Sequence, residues 1–426
     1  MALPYGPILL AGLFLEYAIV MLADLLNLRA LQPSPPVEFT GLYDSERYER
    51  SQAYTRQLTR FTWIPTTLDL ALLLAFWFAG GFELLDQVVR SFGLGPIVEG
   101  TIYIGVLIVA QAVVSLPFRW YSTFVIEDRF GFNTTTRATF AVDQLKGLLL
   151  LVVLGGPLLA AVLWFFDRTG DAAWLWCFGV TTAFLVGLQF VAPTWVMPLF
   201  NKFQPLGDGQ LKRAVLAYTR RVGFPLEDVF VIDGSKRSTK ANAFLTGFGK
   251  RKRIALFDTL IEQHSTDEVV AMVAHEIGHF KKKHILKELA LGIAQVGVIF
   301  FLLSLVLRDA GLFEAFHVSR PSTYVGLVLF GIAYTPIGLV LSFAVQAHSR
   351  RNEFEADAFA RETTGRGEVL ARALEKLSAQ SLSNLTPHPF YVKLHHSHPP
   401  LADRVSALRA PDPPETPFVG VNVIAK

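Results

Sequence analysis

Five residues carry the most chemistry in this chain: His275-Glu276-Ile277-Gly278-His279. Four residues along an α-helix turn the chain by about 400°, so His275 and His279 share a face roughly 40° apart. Two imidazoles so placed suit one Zn²⁺ ion. Glu276 is offset by about 100°, beside the pair, where it can take a proton from a water at the ion. The preceding run, Asp267 to Ala274, reads as helix, with Ser265 or Thr266 as its cap and two acids in its first turn. An amphipathic helix that carries two histidines by chance is the alternative.

Two histidines leave a catalytic metal site one protein ligand short. The chain has a single cysteine, Cys177, so neither a thiolate cluster nor an internal disulfide is available. The missing ligand must come from another His or a carboxylate. The stretch His348 to Ala360 is helical in pattern and places Glu353 and Asp357 on one stripe, with Glu355 opposite. Such a stripe commonly faces solvent. Here Glu353 is the candidate third ligand, and Asp357 the candidate partner for the far ring nitrogen of a ligating histidine. His284, on a helix continued from the motif, falls about 180° from His275 and is expected to cap or pack. His264, His317, His348, His388, His395 and His396 are expected to be structural or surface residues.

The elements that must hold these groups lie in a membrane. Of 426 residues, 52% are hydrophobic and only 18% are charged; mean hydropathy is +0.39. Soluble domains carry about 25% charge. A net charge of +3 gives no reason to expect a nucleic-acid partner. About seven stretches reach the roughly 20 residues needed to span a bilayer: 6–28, 63–88, 100–122, 146–166, 172–193, 286–307 and 323–345. The first lacks the basic start and small-residue site of a cleavable leader and reads as a retained span. Asp24 and Glu83 sit near span ends, whereas Glu16 and Asp69 lie deeper and hint at a polar interior. Lys and Arg concentrate in 29–62, 123–146, 201–285 and 346–426, and are sparse in the alternating loops with Arg90, Arg168, Arg308 and Arg320. That asymmetry predicts an outward N-terminus and a chemical site on the cytoplasmic side of a multi-pass protein in the bilayer. Lys281, Lys282 and Lys283 are expected to snorkel at that surface.

The domain reading is 1–200 for five spans, 201–285 for a first polar block with the motif helix, 286–345 for two further spans, 346–410 for a second polar block, and 411–426 for a Pro-rich tail. Within 201–285, residues 229–233 and 253–257 read as strands. The strand just before the motif helix is where an extended peptide could pair through its backbone, although an ordinary hairpin fits equally well. The stretch 366–380 reads as a further helix.

Several motifs together resemble the M48 family of integral-membrane zinc metallopeptidases, in its Ste24-type CAAX prenyl protease branch. They are His275-Glu276-Ile277-Gly278-His279; Ser349 through Asp357 with Glu353 at the ligand position; Ala241-Asn242-Ala243-Phe244 with Lys252 through Leu260; His398-Pro399-Pro400-Leu401 with Arg404; Ile126 through Asn133; and Pro198 through Leu206. The resemblance spans nearly the whole chain, and the seven spans fit this branch better than the shorter quality-control members. It implies a mainly α fold: a seven-helix membrane bundle around a chamber, with a zincin-like domain containing a small β-sheet. It also implies one Zn²⁺ per chain on His275, His279 and Glu353, Glu276 as general base, and His398 and Arg404 as catalytic or substrate-gripping groups. Asn242 and Ala243 would bind substrate backbone. The expected partner is a peptide or protein substrate, with or without a prenyl group. A membrane quality-control peptidase and a non-hydrolytic metal-binding scaffold or transporter are the competing readings.

Overall fold

A computed structural model describes residues 5–41, 43–248, 251–307 and 309–411. The expected tail, apart from Pro411, and the Arg308 loop charge lie outside the described residues. Among the described residues, seven helices are long and apolar enough to cross a membrane: Tyr5–Arg29, Ser45–Phe78, Pro96–Glu127, Arg137–Arg168, Gly170–Leu199, His284–Val306 and Thr323–Thr364. In chain order the membrane half contains α1 (Tyr5–Arg29), α2 (Ser45–Phe78), α3 (Gly81–Arg90), α4 (Pro96–Tyr121), α5 (Arg137–Leu150), α6 (Gly156–Arg168) and α7 (Ala173–Val191). A π-helical segment, Leu151–Gly155, joins α5 to α6.

The second span ends sooner than its hydropathy suggests. Gly80 adopts φ 70°, a left-handed turn that suits glycine and separates α2 from α3. Glu83 therefore belongs to a short helix outside the span, where it accepts hydrogen bonds from Ser319 N (2.9 Å) and Oγ (2.6 Å). At the other end α2 begins at Ser45, so Arg47, Arg50, Arg56 and Arg60 all ride on the helix. Apolarity marks the stretch in contact with lipid; it is blind to how far a helix continues beyond the bilayer.

At one end the bundle closes on a core of Trp77, Phe82, Tyr103, Phe316 and Tyr324, with Trp77 stacked on Phe316 at 4.0 Å between centroids. Asp69 accepts from Gln111 Nε2 at 3.1 Å and Tyr17 meets Thr67 at 2.9 Å, and both pairs remain accessible although they lie within spans. Polar groups at that depth usually face protein or water rather than lipid. Asp24 is instead buried, accepting from Trp63 Nε1 at 2.9 Å.

The remaining elements are β1 (Phe203–Pro205), α8 (Gln210–Arg221), β2 (Leu226–Ile232), β3 (Ala243–Phe248), β4 (Arg251–Phe257), α9 (Asp258–Gln263), α10 (Thr266–Lys281), α11 (His284–Val306), α12 (Ala310–Ala315), α13 (Thr323–Thr364), α14 (Gly367–Gln380), α15 (Pro389–His395) and α16 (Leu401–Arg409). The strands form one mixed sheet in the order β1-β2-β4-β3, with β2 and β4 parallel and the other pairs antiparallel. Only two of these strands were legible in advance. Ala243–Phe248 carries Thr and Gly that blur the apolar alternation, so its pairing with β4 decides it. That pairing corrects one expectation: the strand before the motif helix is internal, and the free edge belongs to β3.

A continuous apolar core ties the sheet to the motif helix, with Val229, Ile254, Leu256, Val269, Val273 and Ile277 all buried. Helix α13 runs unbroken from the membrane through residue 345 into the polar region. The loop after the third span is stitched to the segment leading into β3. Lys240 Nζ lies 3.0 Å from Glu127 Oε2, Asn133 bridges Ser238, and Arg237 grips Asp143 at 2.7 Å while donating to Phe200 O at 2.8 Å.

Candidate metal centre and active site

Helix α10 begins where its sequence says it should. Glu268 N donates to Ser265 Oγ at 3.4 Å, and Ser265 N donates to Glu268 Oε2 at 2.8 Å, a reciprocal capping box. The helix presents His275 and His279 on one face. Against that face lies α13, brought close by Gly278. A Cβ on Gly278 would stand 3.0 Å from both Ala356 Cα and Ala356 O. Absence of a side chain there, opposite the small Ala356, lets Glu353 reach the two imidazoles.

The convergence is tight. One ligand atom each from His275, His279 and Glu353 lies within 4.8 Å of the others. His275 Nε2 and His279 Nε2 are 3.1 Å apart, and they lie 3.5 Å and 3.3 Å from the nearest Glu353 oxygens. A tetrahedral ion about 2.0–2.1 Å from each donor spaces them about 3.3 Å apart, so the donor set fits such an ion. The electrostatics agree. Glu276, Glu353 and Asp357 face one guanidinium, that of Arg404, which leaves two negative charges for a divalent cation. Burial opposes charge on His275, yet hydrogen bonding toward Asp357 and Glu353 outweighs it and raises its pKa to about 9. The pocket is built to hold positive charge.

Around the three candidate ligands stands a supporting shell. Asp357, 2% exposed, places Oδ1 2.8 Å from His275 Nδ1. Arg404 donates through Nε and Nη2 to the two Asp357 oxygens, at 2.8 Å and 2.7 Å. Its Nη1 lies 3.3 Å from Glu353 Oε2. Arg404 is itself buried, and its guanidinium bridges the two carboxylates. His398, on the turn before α16, sets Nδ1 2.8 Å from Glu353 Oε2 while its side chain remains 65% exposed. It is the sequence-predicted group that both touches the centre and faces outward.

Glu276 follows His275 on α10. Burial pushes its carboxyl pKa up, with the two imidazoles and Arg404 pulling against that rise. Asn242 and Ala243 open β3. Asn242 is exposed, its Oδ1 accepts from Ala243 N at 2.8 Å, and its carbonyl accepts from Phe257 N at 3.0 Å. Ala243 and Leu245 pack on the core that includes α10. The outer edge of β3 has no strand beside it among the described residues.

One contributor was missed in the sequence. His284 was expected on the far side of a continuing helix. Instead α10 ends at Lys281, Lys283 takes a left-handed φ of 61°, and a new helix starts at His284. The break swings His284 back, so that its Nδ1 is 3.0 Å from His279 Nδ1 and its Nε2 is 3.1 Å from Glu355 Oε2. Three lysines in a row at the start of an apolar span were the available signal, since a helix entering a membrane commonly changes direction at its charged boundary. His395 Nε2 lies 4.0 Å from Asp24, away from the centre.

A bundle of spanning helices whose polar half carries two histidines and a glutamate around a cation-shaped gap, with an adjacent buried carboxylate and an open strand edge, defines a membrane metallopeptidase. Residues 24–202 match the model for the CAAX prenyl protease N-terminal domain of five membrane helices, and residues 205–412 match peptidase family M48. The chain belongs to family M48. It is 35% identical to CAAX prenyl protease 1 homolog of Oryza sativa subsp. japonica, over 97% of this chain and 99% of the relative. With CAAX prenyl protease 1 of Saccharomyces cerevisiae it shares 36% identity over 88% of each chain. The crystal structure of S. mikatae Ste24p superposes with a TM-score of 0.91 at 32% identity, covering 96% of this chain and 100% of that one.

Proposed function

We propose that this protein is a zinc metalloendopeptidase that trims C-terminal residues from prenylated CAAX-type proteins, with its active site on the cytoplasmic side. The observation that carries this reading is the convergence of His275, His279 and Glu353 beside Glu276, within a chain that resembles CAAX proteases over almost its full length. These three residues would hold the ion. When bound, zinc polarises a carbonyl and brings the pKa of a water toward about 7.

The rest is the work of the chain. Glu276 takes the proton from the attacking water at its carboxylate and passes it to the departing amine. Desolvation makes that carboxylate a stronger base than an exposed one. The open edge of β3, from Asn242 and Ala243 onward, pairs with an extended peptide through backbone hydrogen bonds and sets its register. His398, exposed at the mouth of the centre with Nδ1 on Glu353, lies where it can contact the scissile carbonyl group of a bound peptide. Arg404 and Asp357 hold Glu353 and His275 in place. The arginine-rich start of α2 supports a cytoplasmic site.

Glu276→Ala in the purified full-length protein tests the assignment. Metal content stays at the wild-type level, and cleavage of a C-terminally farnesylated peptide falls by about 10²–10⁴-fold or more. Full activity in this variant overturns the mechanism. Wild-type cleavage of unmodified, misfolded membrane proteins but not of the farnesylated peptide overturns the substrate class. Cys177 is buried and is the only cysteine, so a cysteine introduced at Lys282 reports the side of the site by labelling from the cytoplasm alone.

A further inference from the structure

A cavity of about 500 Å³ lies where α7 and α11 meet the sheet, and none of the three metal-site candidates lines it. Pro193, Leu245, Phe280, Ile285 and Leu286 give it an apolar body, and Lys252, Lys281 and Lys283 add cations. It sits at the polar end of two spans, since α11 begins at His284 and the fifth span reaches Leu199.

Lys252 is the unusual member. It is 9% exposed, and its Nζ stands 3.6 Å above the Phe280 ring and 6.0 Å from that of Phe224. No carboxylate pairs with it among the described residues, and the nearby Glu227 is engaged by Arg253 at 3.2 Å. Ring faces compensate a buried ammonium only in part, so the site calls for an anion. Lys283 is exposed and also lacks an ion pair among the described residues, while Lys281 donates to Gly223 O at 3.2 Å.

We propose that this cavity binds an acidic phospholipid, its phosphate between Lys252 and Lys283 and an acyl chain along Pro193, Ile285 and Leu286. Cationic pockets between spanning helices select such headgroups. A prenylated tail fits the apolar body equally well, but these tails usually carry basic residues upstream of the modified cysteine, which the lysines repel. Because Leu245 and Thr246 of β3 line the same cavity, a bound lipid braces the strand whose free edge receives the peptide. The binding claim stands whichever peptide is cut.

The test compares full-length protein in nanodiscs of phosphatidylcholine with the same discs containing phosphatidylglycerol. Melting temperature, peptide cleavage and lipid retained in native mass spectrometry are the readouts. Wild type is expected to melt several degrees higher and cleave severalfold faster with phosphatidylglycerol, and to retain one such lipid. Lys252→Met combined with Lys283→Gln loses all three gains yet matches wild type in phosphatidylcholine. If the pair folds poorly, Lys281→Gln with Lys283→Gln must still reduce the retained lipid. Equal behaviour of wild type in both discs overturns the proposal, as does an undiminished gain in both variants. A variant that instead raises KM for a farnesylated peptide, but not for its unmodified counterpart, in phosphatidylcholine alone assigns the cavity to the substrate chain and overturns it too.

Discussion

His284 Nδ1 stands 3.0 Å from His279 Nδ1, and the other ring nitrogen of His284 lies 3.1 Å from Glu355 Oε2. This chain fixes tautomers. An ionised Glu355 accepts from His284 Nε2–H, which leaves His284 Nδ1 to accept from His279 Nδ1–H and frees His279 Nε2 to face the gap it shares with His275 and Glu353. His284→Ala and Glu355→Gln should each weaken metal binding by about 10–100-fold. Competition with a chromophoric chelator measures this independently of catalysis. Wild-type affinity in both variants would show that the chain of rings is packing alone.

Gly278 sets the distance between the two helices that carry the ligands. A methyl group there meets backbone atoms of Ala356 at 3.0 Å, and backbone does not yield as a flexible side chain does. Gly278→Ala should push α13 outward and reduce both metal occupancy and turnover. Gly105→Ala, whose added carbon meets nothing within 4 Å, is the control and should leave both unchanged.

Arg404 and Asp357 form a buried two-pronged pair, at 2.8 Å and 2.7 Å. Removing one partner of such a pair strands the other, at a cost of about 3–5 kcal/mol. Arg404→Ala and Asp357→Asn should therefore lower both thermal stability and metal content. Arg404→Lys should recover only part of the loss, because an ammonium cannot grip both oxygens. A rise in KM with stability and metal unchanged would instead make Arg404 a substrate-binding group.

His264 gives a pH dependence away from the metal. It is buried beside Glu268, Lys376 and Gln380, with Nδ1 3.4 Å from Glu268 Oε2. Burial, reinforced by Lys376, holds its pKa below the ordinary 6.5. A depressed folded pKa means that the unfolded chain binds the proton first. The stabilisation is complete above pH 6.5 and is lost as pH falls toward the folded value. Melting between about pH 7.5 and 5.5 should drop more for wild type than for His264→Gln. Parallel curves would exclude this residue as a source of acid sensitivity.

The composition of the bundle, the motif helix and its cap were all legible in the chain, because each depends on local periodicity or on apolar length. The grouping of His275, His279 and Glu353 was also legible, through the spacing of the two histidines and the stripe of Glu353 and Asp357. Less legible was whatever depended on a break or a partner. The end of α2 at Phe78 turns on one left-handed glycine inside an apolar run. The edge strand Ala243–Phe248 is weak in pattern and is fixed by its pairing with β4. The contacts of Arg404 with Asp357 and Glu353 join positions 47 and more residues apart, which no local pattern shows.

By itself, then, the sequence determined which residues share a helical face, how many stretches can cross a bilayer, and which side types can hold a metal. Only the tertiary structure decided that a glycine lets α10 and α13 touch, that His284 turns back onto His279, and that β3 rather than β4 offers a free edge. The physical reason is one of range. Periodicity and capping act within a few residues, whereas helix–helix approach, ring-to-ring hydrogen bonds and strand order join groups far apart in the chain, and no local pattern encodes those distances.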